Sequence, residues 1–552
     1  MISFKVSKNN SNSSSSIYSA AISHLEEGKM KGLVEHVETV ETGPHGKGKL
    51  HLRDGDNIDE ERVDKDILAY MEDSAIEIDD TTNKRLRSMI NKRILPCMIV
   101  TYFLQALDKG TLSFASIMGI REDAGLVGQQ YSWLTTCTYL AVLFWEWPTN
   151  WIIQKLPIAK YLAFNIIAWG IVLSCHALGK NFAILVVVRT LLGFFECCCQ
   201  PCFILMSAMW YKRSEQASII ALWYMMNGGQ QIVGGLLSYC FSLIDGAALR
   251  NWEILFLTYG CITVVWGVFV LWWTPDSPMK AKCFSETDKK LMVERVRSNQ
   301  TGIQNKEFKK YQLYEALSDP QTYCYFFIQF LTSLPTSGLG AFANIIISSF
   351  GFSVLQTQLL AMVLGAYLIV LLLSSAWLSS RFNQNILFMI CYVVPSIIGT
   401  VVLMTVTYTG MDTDSYEYKL RRGVLLFCYY LTLSFWGVAN LGLSLLSRNI
   451  AGQTKKSFCT ALNFVGWAVG NCVGPQVFRD QDSPRYLTAF ATHMGCYAAL
   501  IILLLCMRLW LMKENFRKDK LIERGEAVAD SKLKHAFEDL TDMENVNFRY
   551  AY

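Results

Sequence analysis

Apolar residues along this chain gather in runs of roughly 20, the length a helix needs to cross a hydrocarbon core of ~30 Å. A helix also closes its own backbone hydrogen bonds, which lipid cannot satisfy. The pattern predicts twelve such helices, over 94–118, 130–153, 158–178, 182–209, 215–243, 252–273, 321–349, 354–378, 386–408, 423–446, 457–478 and 486–512. A charged stretch at 275–320 divides them into two sets of six. The expectation is an all-α membrane protein with twelve transmembrane helices in two six-helix halves, 94–274 and 321–512, joined by a central loop, 275–320. Polar tails flank the halves at 1–93 and 513–552, and the Asn/Ser run Asn9–Ser16 predicts disorder in the first.

Composition agrees with the pattern. Of 552 residues, 52% are hydrophobic and 17% charged, against about 25% charged in soluble domains. The net charge of +4 is spread along the chain, and no basic recognition helix points to nucleic acid. Residues 1–28 lack the apolar run of a signal peptide, so the first spanning helix would direct its own insertion. Lys and Arg are nearly balanced between the two sides in the short loops. The tails and the central loop decide orientation, through Lys84, Arg85, Arg87, Lys92, Arg93, Lys280, Lys282, Lys513, Arg517 and Lys518 near helix ends. An even helix count then puts both tails and the central loop in the cytoplasm. Trp151 to Lys155 after the second helix and Trp377 to Arg381 after the eighth form a weak internal repeat, in keeping with two related halves and a site between them.

Charge within the spans supplies the candidate chemistry, because a charged side chain at the bilayer centre costs ~2.5–3.5 kcal/mol and usually faces a polar cavity with a partner. Asp108 and Lys109 are adjacent in the first helix, so one is expected to face a cavity and the other a neighbouring helix. Arg189 and Glu196 lie on one face of the fourth helix, about 10 Å apart along its axis. A buried arginine offers a planar fork for a carboxylate, and a buried glutamate suits proton transfer. Glu146 stands near the inner end of the second helix, as a further proton-coupling candidate or a snorkelling side chain. Asn227, Gln329, Asn344 and Asn440 are candidates to line the cavity, or to bond helix to helix. Cys197, Cys198, Cys199 and Cys202 cluster on one helix without a second ligand pair and read as packing; no metal or cofactor is expected. His176 and His493 stand on separate helices and read as packed polar residues, so the chain lacks the clustered groups of an enzyme.

From about Arg87 onward the chain resembles the fungal allantoate permease family, in the anion:cation symporter branch of the major facilitator superfamily. The resemblance rests on Leu107-Asp108-Lys109 with Leu112 to Ser116, on Trp145 to Asn150 with Gln154 to Lys160, and on Arg189, Gly193 and Glu196 with Pro201 and Trp210-Tyr211. It continues through Pro275 to Pro278, Val296 to Gly302, Ala451 to Lys456, Gly470 to Gln476 and Asp539 to Tyr550. Departures are Gln154 where an aspartate is usual, Gln453 where a histidine is common, and cysteines at 197–199 where small residues are usual.

The resemblance implies a twelve-helix fold and proton symport of ureido acids, other carboxylates, vitamins or sulfur compounds. It also links Arg189 to proton coupling. The combined expectation is a plasma-membrane importer, working as a monomer by alternating access. Lys109 or Arg189 would neutralise an organic anion and Asp108 or Glu196 would take the proton. A non-transporting nutrient sensor on the same fold is the alternative.

Overall fold

The computed structural model describes residues 78–297, 309–407, 415–524 and 540–552, apart from Gln154 and Asn383. The predicted disorder at Asn9–Ser16 lies outside these residues. From Asp80 the first tail is helical: α1 (Asp80–Arg93) is capped by the Asp79 carboxylate and buries Leu86 and Ile90.

The first half comprises α2 (Leu95–Ile117), α3 (Gln130–Ile153), α4 (Ile158–Cys175), α5 (Phe182–Glu196), α6 (Cys199–Trp210), α7 (Arg213–Tyr224), α8 (Met226–Ser242) and α9 (Asn251–Trp273). The loop that follows carries α10 (Glu286–Arg297) and α11 (Lys310–Ser318). The second half comprises α12 (Pro320–Ser349), α13 (Val354–Phe382), α14 (Asn385–Thr405), α15 (Tyr416–Thr432), α16 (Trp436–Asn449), α17 (Gln453–Val473) and α18 (Leu487–Glu523).

Helix therefore covers every predicted stretch, and among the described residues eight stretches are long and apolar enough by themselves to cross a membrane. Those outside that set are α2, α3, α8 and α17. They carry Asp108, Lys109, Glu146, Asn227 and Asn471, and each of them meets a helix of the opposite half: α2 against α12, α3 against α17, and α8 against α13. Polarity is concentrated where the halves face each other.

The packing repeats itself when each helix is shifted by one half. In the first half α9 lies along α4, α5 along α3 and α8 along α2; in the second, α18 lies along α14, α16 along α13 and α17 along α12. The α3–α17 contact likewise mirrors α13–α8. At the α8–α13 seam the backbones nearly touch: a Cβ on Gly365 would sit 2.6 Å from the Gly228 carbonyl oxygen.

Three stretches expected as continuous helices are broken. The fourth breaks at Cys197–Cys198, because Pro201 has no N–H to give the Cys197 carbonyl and its ring crowds that oxygen. The fifth breaks at Met225, just before the weak helix formers Gly228 and Gly229. The tenth passes through a 3₁₀ turn at Leu433–Phe435. The last helix runs past its apolar part to Glu523, further than the expected end at 512.

Candidate functional site

All three breaks lie beside one cavity, of about 140 Å³, between the halves. Irregular backbone at membrane depth is tolerated only where protein or a water-filled cavity satisfies it. The first half contributes Tyr102, Gln105 and Lys109 from α2, Tyr139 and Glu146 from α3, Glu196 and Cys197 from the α5–α6 break, and Asn227 from the α7–α8 break. The second half contributes Gln329, Ser333 and Thr336 from α12, Trp436 from the α16 end of its break, and Phe464, Trp467 and Asn471 from α17.

Of the nine residues singled out in the sequence, Lys109, Glu196, Glu146, Asn227 and Gln329 line this cavity. Lys109 is exposed to it, while its neighbour Asp108 is fully buried and accepts a 2.8 Å hydrogen bond from Trp169 Nε1. Asn227 Nδ2 donates to Tyr102 Oη at 3.1 Å and to the Tyr224 carbonyl at 2.8 Å, bracing the α7–α8 break. Gln105 Nε2 donates to the Glu196 carbonyl at 3.0 Å and so braces the α5–α6 break. Neither carboxylate oxygen of Glu196 has a hydrogen-bond partner among the described residues.

The other candidates lie outside the cavity wall. Arg189 is buried, with its guanidinium 5.6 Å from the Phe256 ring centre. Phe256 belongs to α9, so the guanidinium packs against a helix of its own half. Asn440 donates to Ser375 Oγ at 3.0 Å and ties α16 to α13. Asn344 is buried at the seam, and its backbone N–H reaches Ser113 Oγ at 3.4 Å.

That seam closes the end of the cavity remote from residues 541–552, hereafter the far end. Tyr131 donates to the Ala341 carbonyl at 2.8 Å, and Thr136 to the Cys472 carbonyl at 2.9 Å. Gln476 donates to Thr136 at 2.9 Å, and Arg121 pairs with Asp480 at 3.0 Å. Tyr139 meets Trp467 edge to face across the halves, with ring centres 5.7 Å apart.

Sequence reasoning passed over the aromatic wall of Tyr102, Tyr139, Trp436, Phe464 and Trp467, since aromatic residues at helical spacing read equally as lipid-facing or core. The cysteine cluster is a set of buried free thiols, and no group of potential metal ligands occurs among the described residues. Cys197 alone of the four reaches the cavity, 3.4 Å from Thr149 Oγ1.

A family model described as the Major Facilitator Superfamily matches residues 98–475. The allantoate permease of Saccharomyces cerevisiae is 34% identical over 89% of this chain and 90% of that protein. The thiamine pathway transporter THI73 of the same yeast is 34% identical over 88% and 90%. An uncharacterized transporter of Schizosaccharomyces pombe, C417.10, is 34% identical over 86% and 90%. Among solved structures, a D-xylose–proton symporter superposes with a TM-score of 0.58 at 12% identity, over 74% of this chain and 96% of that one. A bacterial homologue of the lysosomal transporter Spinster, in an inward-facing conformation, superposes at 0.54 with 14% identity, over 77% and 95%. At these identities the superpositions establish the fold.

Proposed function

Since this chain belongs to the major facilitator superfamily, within the fungal allantoate permease family, we propose that the transporter imports a small organic anion together with a proton by alternating access. The observation that carries the reading is that Lys109, Glu196 and Glu146 line one cavity built by both halves. An ammonium exposed to a water-poor cavity favours an anion of opposite charge. The aromatic wall and the side-chain amides suit a compact body with a flat, polar face, as in a ureido acid or a ring carboxylate. The printed name of the yeast relative, an allantoate permease, agrees with that chemistry.

Glu196 is the proton site in this reading, because its carboxylate oxygens have no hydrogen-bond partner among the described residues and the residue lines the cavity. Asp108, held by Trp169, and Arg189 stand behind it and set the local field. One proton carried with one monoanion cancels the charge, and so removes the ~2.3 kcal/mol per 100 mV that a negative interior sets against anion entry. We read the contacts at the far end as a seal, and the arrangement as the state that exchanges substrate on the side of residues 541–552. We place that side in the cytoplasm, twelve helices in the membrane, the working unit as a monomer and the location at the plasma membrane.

The test is uptake of labelled allantoate, ureidosuccinate, nicotinate, thiamine and cysteine in yeast lacking its own allantoate permeases, with and without a protonophore. One anion taken up at acidic pH and lost with the protonophore is the expected result. Uptake that ignores the protonophore would refute proton coupling, and preference for the cation thiamine would refute the anion assignment.

A further inference from the structure

The third residues of α7 and α17 occupy equivalent places in the two halves, and they carry opposite charge: Glu215 and Lys455. Each gathers a segment from outside the helix bundle. Glu215 pairs with the buried Arg295 of α10 at 2.5 Å, so the loop between the halves closes over the first half. Lys455, with its side chain fully buried, pairs with Glu315 of α11 at 2.9 Å, Asp319 at the start of α12 at 2.8 Å and Asp542 at 2.9 Å. The last partner belongs to the segment 541–552, so the second half is closed by residues beyond its final helix.

The surface beneath that segment is shaped to read a peptide. Two asparagines each form a paired set of hydrogen bonds with its backbone. Asn515 donates to the Tyr550 carbonyl and accepts from the Tyr550 N–H, both at 2.9 Å. Asn449 does the same with Ala551, at 2.8 and 2.7 Å. The Lys518 ammonium donates to the carbonyls of Asp542, Asn545 and Phe548, at 2.5, 3.1 and 3.3 Å. Tyr550 is buried, its hydroxyl 2.8 Å from Asp542 and its ring 4.6 Å below the Lys518 ammonium. Gly452 adopts φ +85°, and a Cβ there would come within 3.0 Å of Thr541. A glycine at that cap is what lets the segment approach.

We propose that this end of the second half is a peptide-recognition site, and that segment 541–552 is its exchangeable occupant. Docked, the segment shares Lys455 with Glu315 and Asp319 and so fixes α11 and the base of α12 to α17. Most of its contacts with the bundle are side chains reading backbone groups, an ion pair and a cation over a ring, which is the chemistry of a bound peptide. Its charge-sensitive point is Thr541, whose hydroxyl donates to Glu315 at 2.8 Å and accepts from the Glu544 N–H at 3.1 Å. A negative charge at 541 would face Glu315, Asp542 and Glu544 together and expel the segment.

The test starts from the intact protein. A site-specific protease sequence is placed between residues 526 and 536, the purified chain is cut, and the released fragment is removed by gel filtration in detergent. We expect the cut chain to melt several degrees lower once the fragment is gone, and the synthetic peptide Leu540–Tyr552 to restore the original value. A Tyr550→Ala peptide should bind at least tenfold more weakly. The uncut Thr541→Glu chain should melt like the stripped one, and Thr541→Ser, which keeps the hydroxyl, like the parent. Three results would overturn the proposal: melting unchanged on removal, equal binding of the two peptides, or a fragment that stays with the folded protein through gel filtration in excess competing peptide.

Discussion

Two clusters of buried charge in this molecule, one around Lys455 and one beside the cavity, differ in whether the charge is answered. Around Lys455 three carboxylates stand within 2.9 Å of one ammonium, and the neighbouring Lys518 is capped by backbone carbonyls. Around the cavity, Glu196 has two unpartnered oxygens, Arg189 two unpartnered nitrogens and Asp108 one unpartnered oxygen among the described residues. A buried polar group left unmatched costs about 1–3 kcal/mol. A fold tolerates that only where something else collects the benefit. The satisfied cluster thus reads as architecture, and the unsatisfied one is where the proposed ligand and proton would act.

Substitutions can break that contrast, and they rank by size. Lys455→Met should destabilise the most, by about 3–5 kcal/mol, since it strands the buried carboxylates of Asp319 and Asp542 and the partly buried one of Glu315 without their cation; denaturation in detergent measures it, and a loss under ~1 kcal/mol would erase the architectural reading. Burial pulls the Lys455 ammonium down, but Asp542 and Asp319 outweigh it and hold it above the ordinary lysine range. A raised cation contributes fully below its unfolded value and is lost only as pH climbs through its folded one. This contribution should therefore stay flat from about pH 6 to 9.

Trp169→Phe comes next. It removes the one hydrogen bond that Asp108 accepts from a side chain of α4, at a cost of about 1–3 kcal/mol. A smaller effect is expected at the far-end seam, where Arg121 and Asp480 are partly exposed. Arg121→Gln should shift stability by no more than about 1 kcal/mol. Its signature is instead faster labelling of Cys197 by a membrane-impermeant thiol reagent from the far side, up to about fivefold, read by peptide mass spectrometry. Lys109→Gln should leave melting unchanged, because Lys109 is exposed and lines the cavity, with no ion pair among the described residues.

The helical layout was legible because a span must be largely apolar, and among the described residues eight stretches are long and apolar enough by themselves to cross a membrane. Helix breaks were not, since Pro201 in an otherwise apolar run reads as a kink until the carbonyl it crowds is placed. Lys109, Glu196, Glu146, Asn227 and Gln329 could be picked out as polar residues in apolar surroundings, and the structure collects them in one cavity. The same rule singled out Arg189, Asn344 and Asn440, which stand in helix contacts and seams. Polarity in a span marks a residue that needs company without saying whether that company is a ligand or another helix. The docking of 541–552 was invisible for a different reason: its partners Asn449, Lys455 and Asn515 lie on separate helices, and only folding assembles them.

The central claim is that Lys109 meets the anion in a cavity driven by a proton. The most direct measurement is protonophore-sensitive uptake of labelled allantoate and the other test acids by the parent and by Lys109→Gln, each matched for surface amount and melting temperature. The account predicts uptake below a tenth of the parent's with unchanged melting. Equal uptake by the two chains would contradict it.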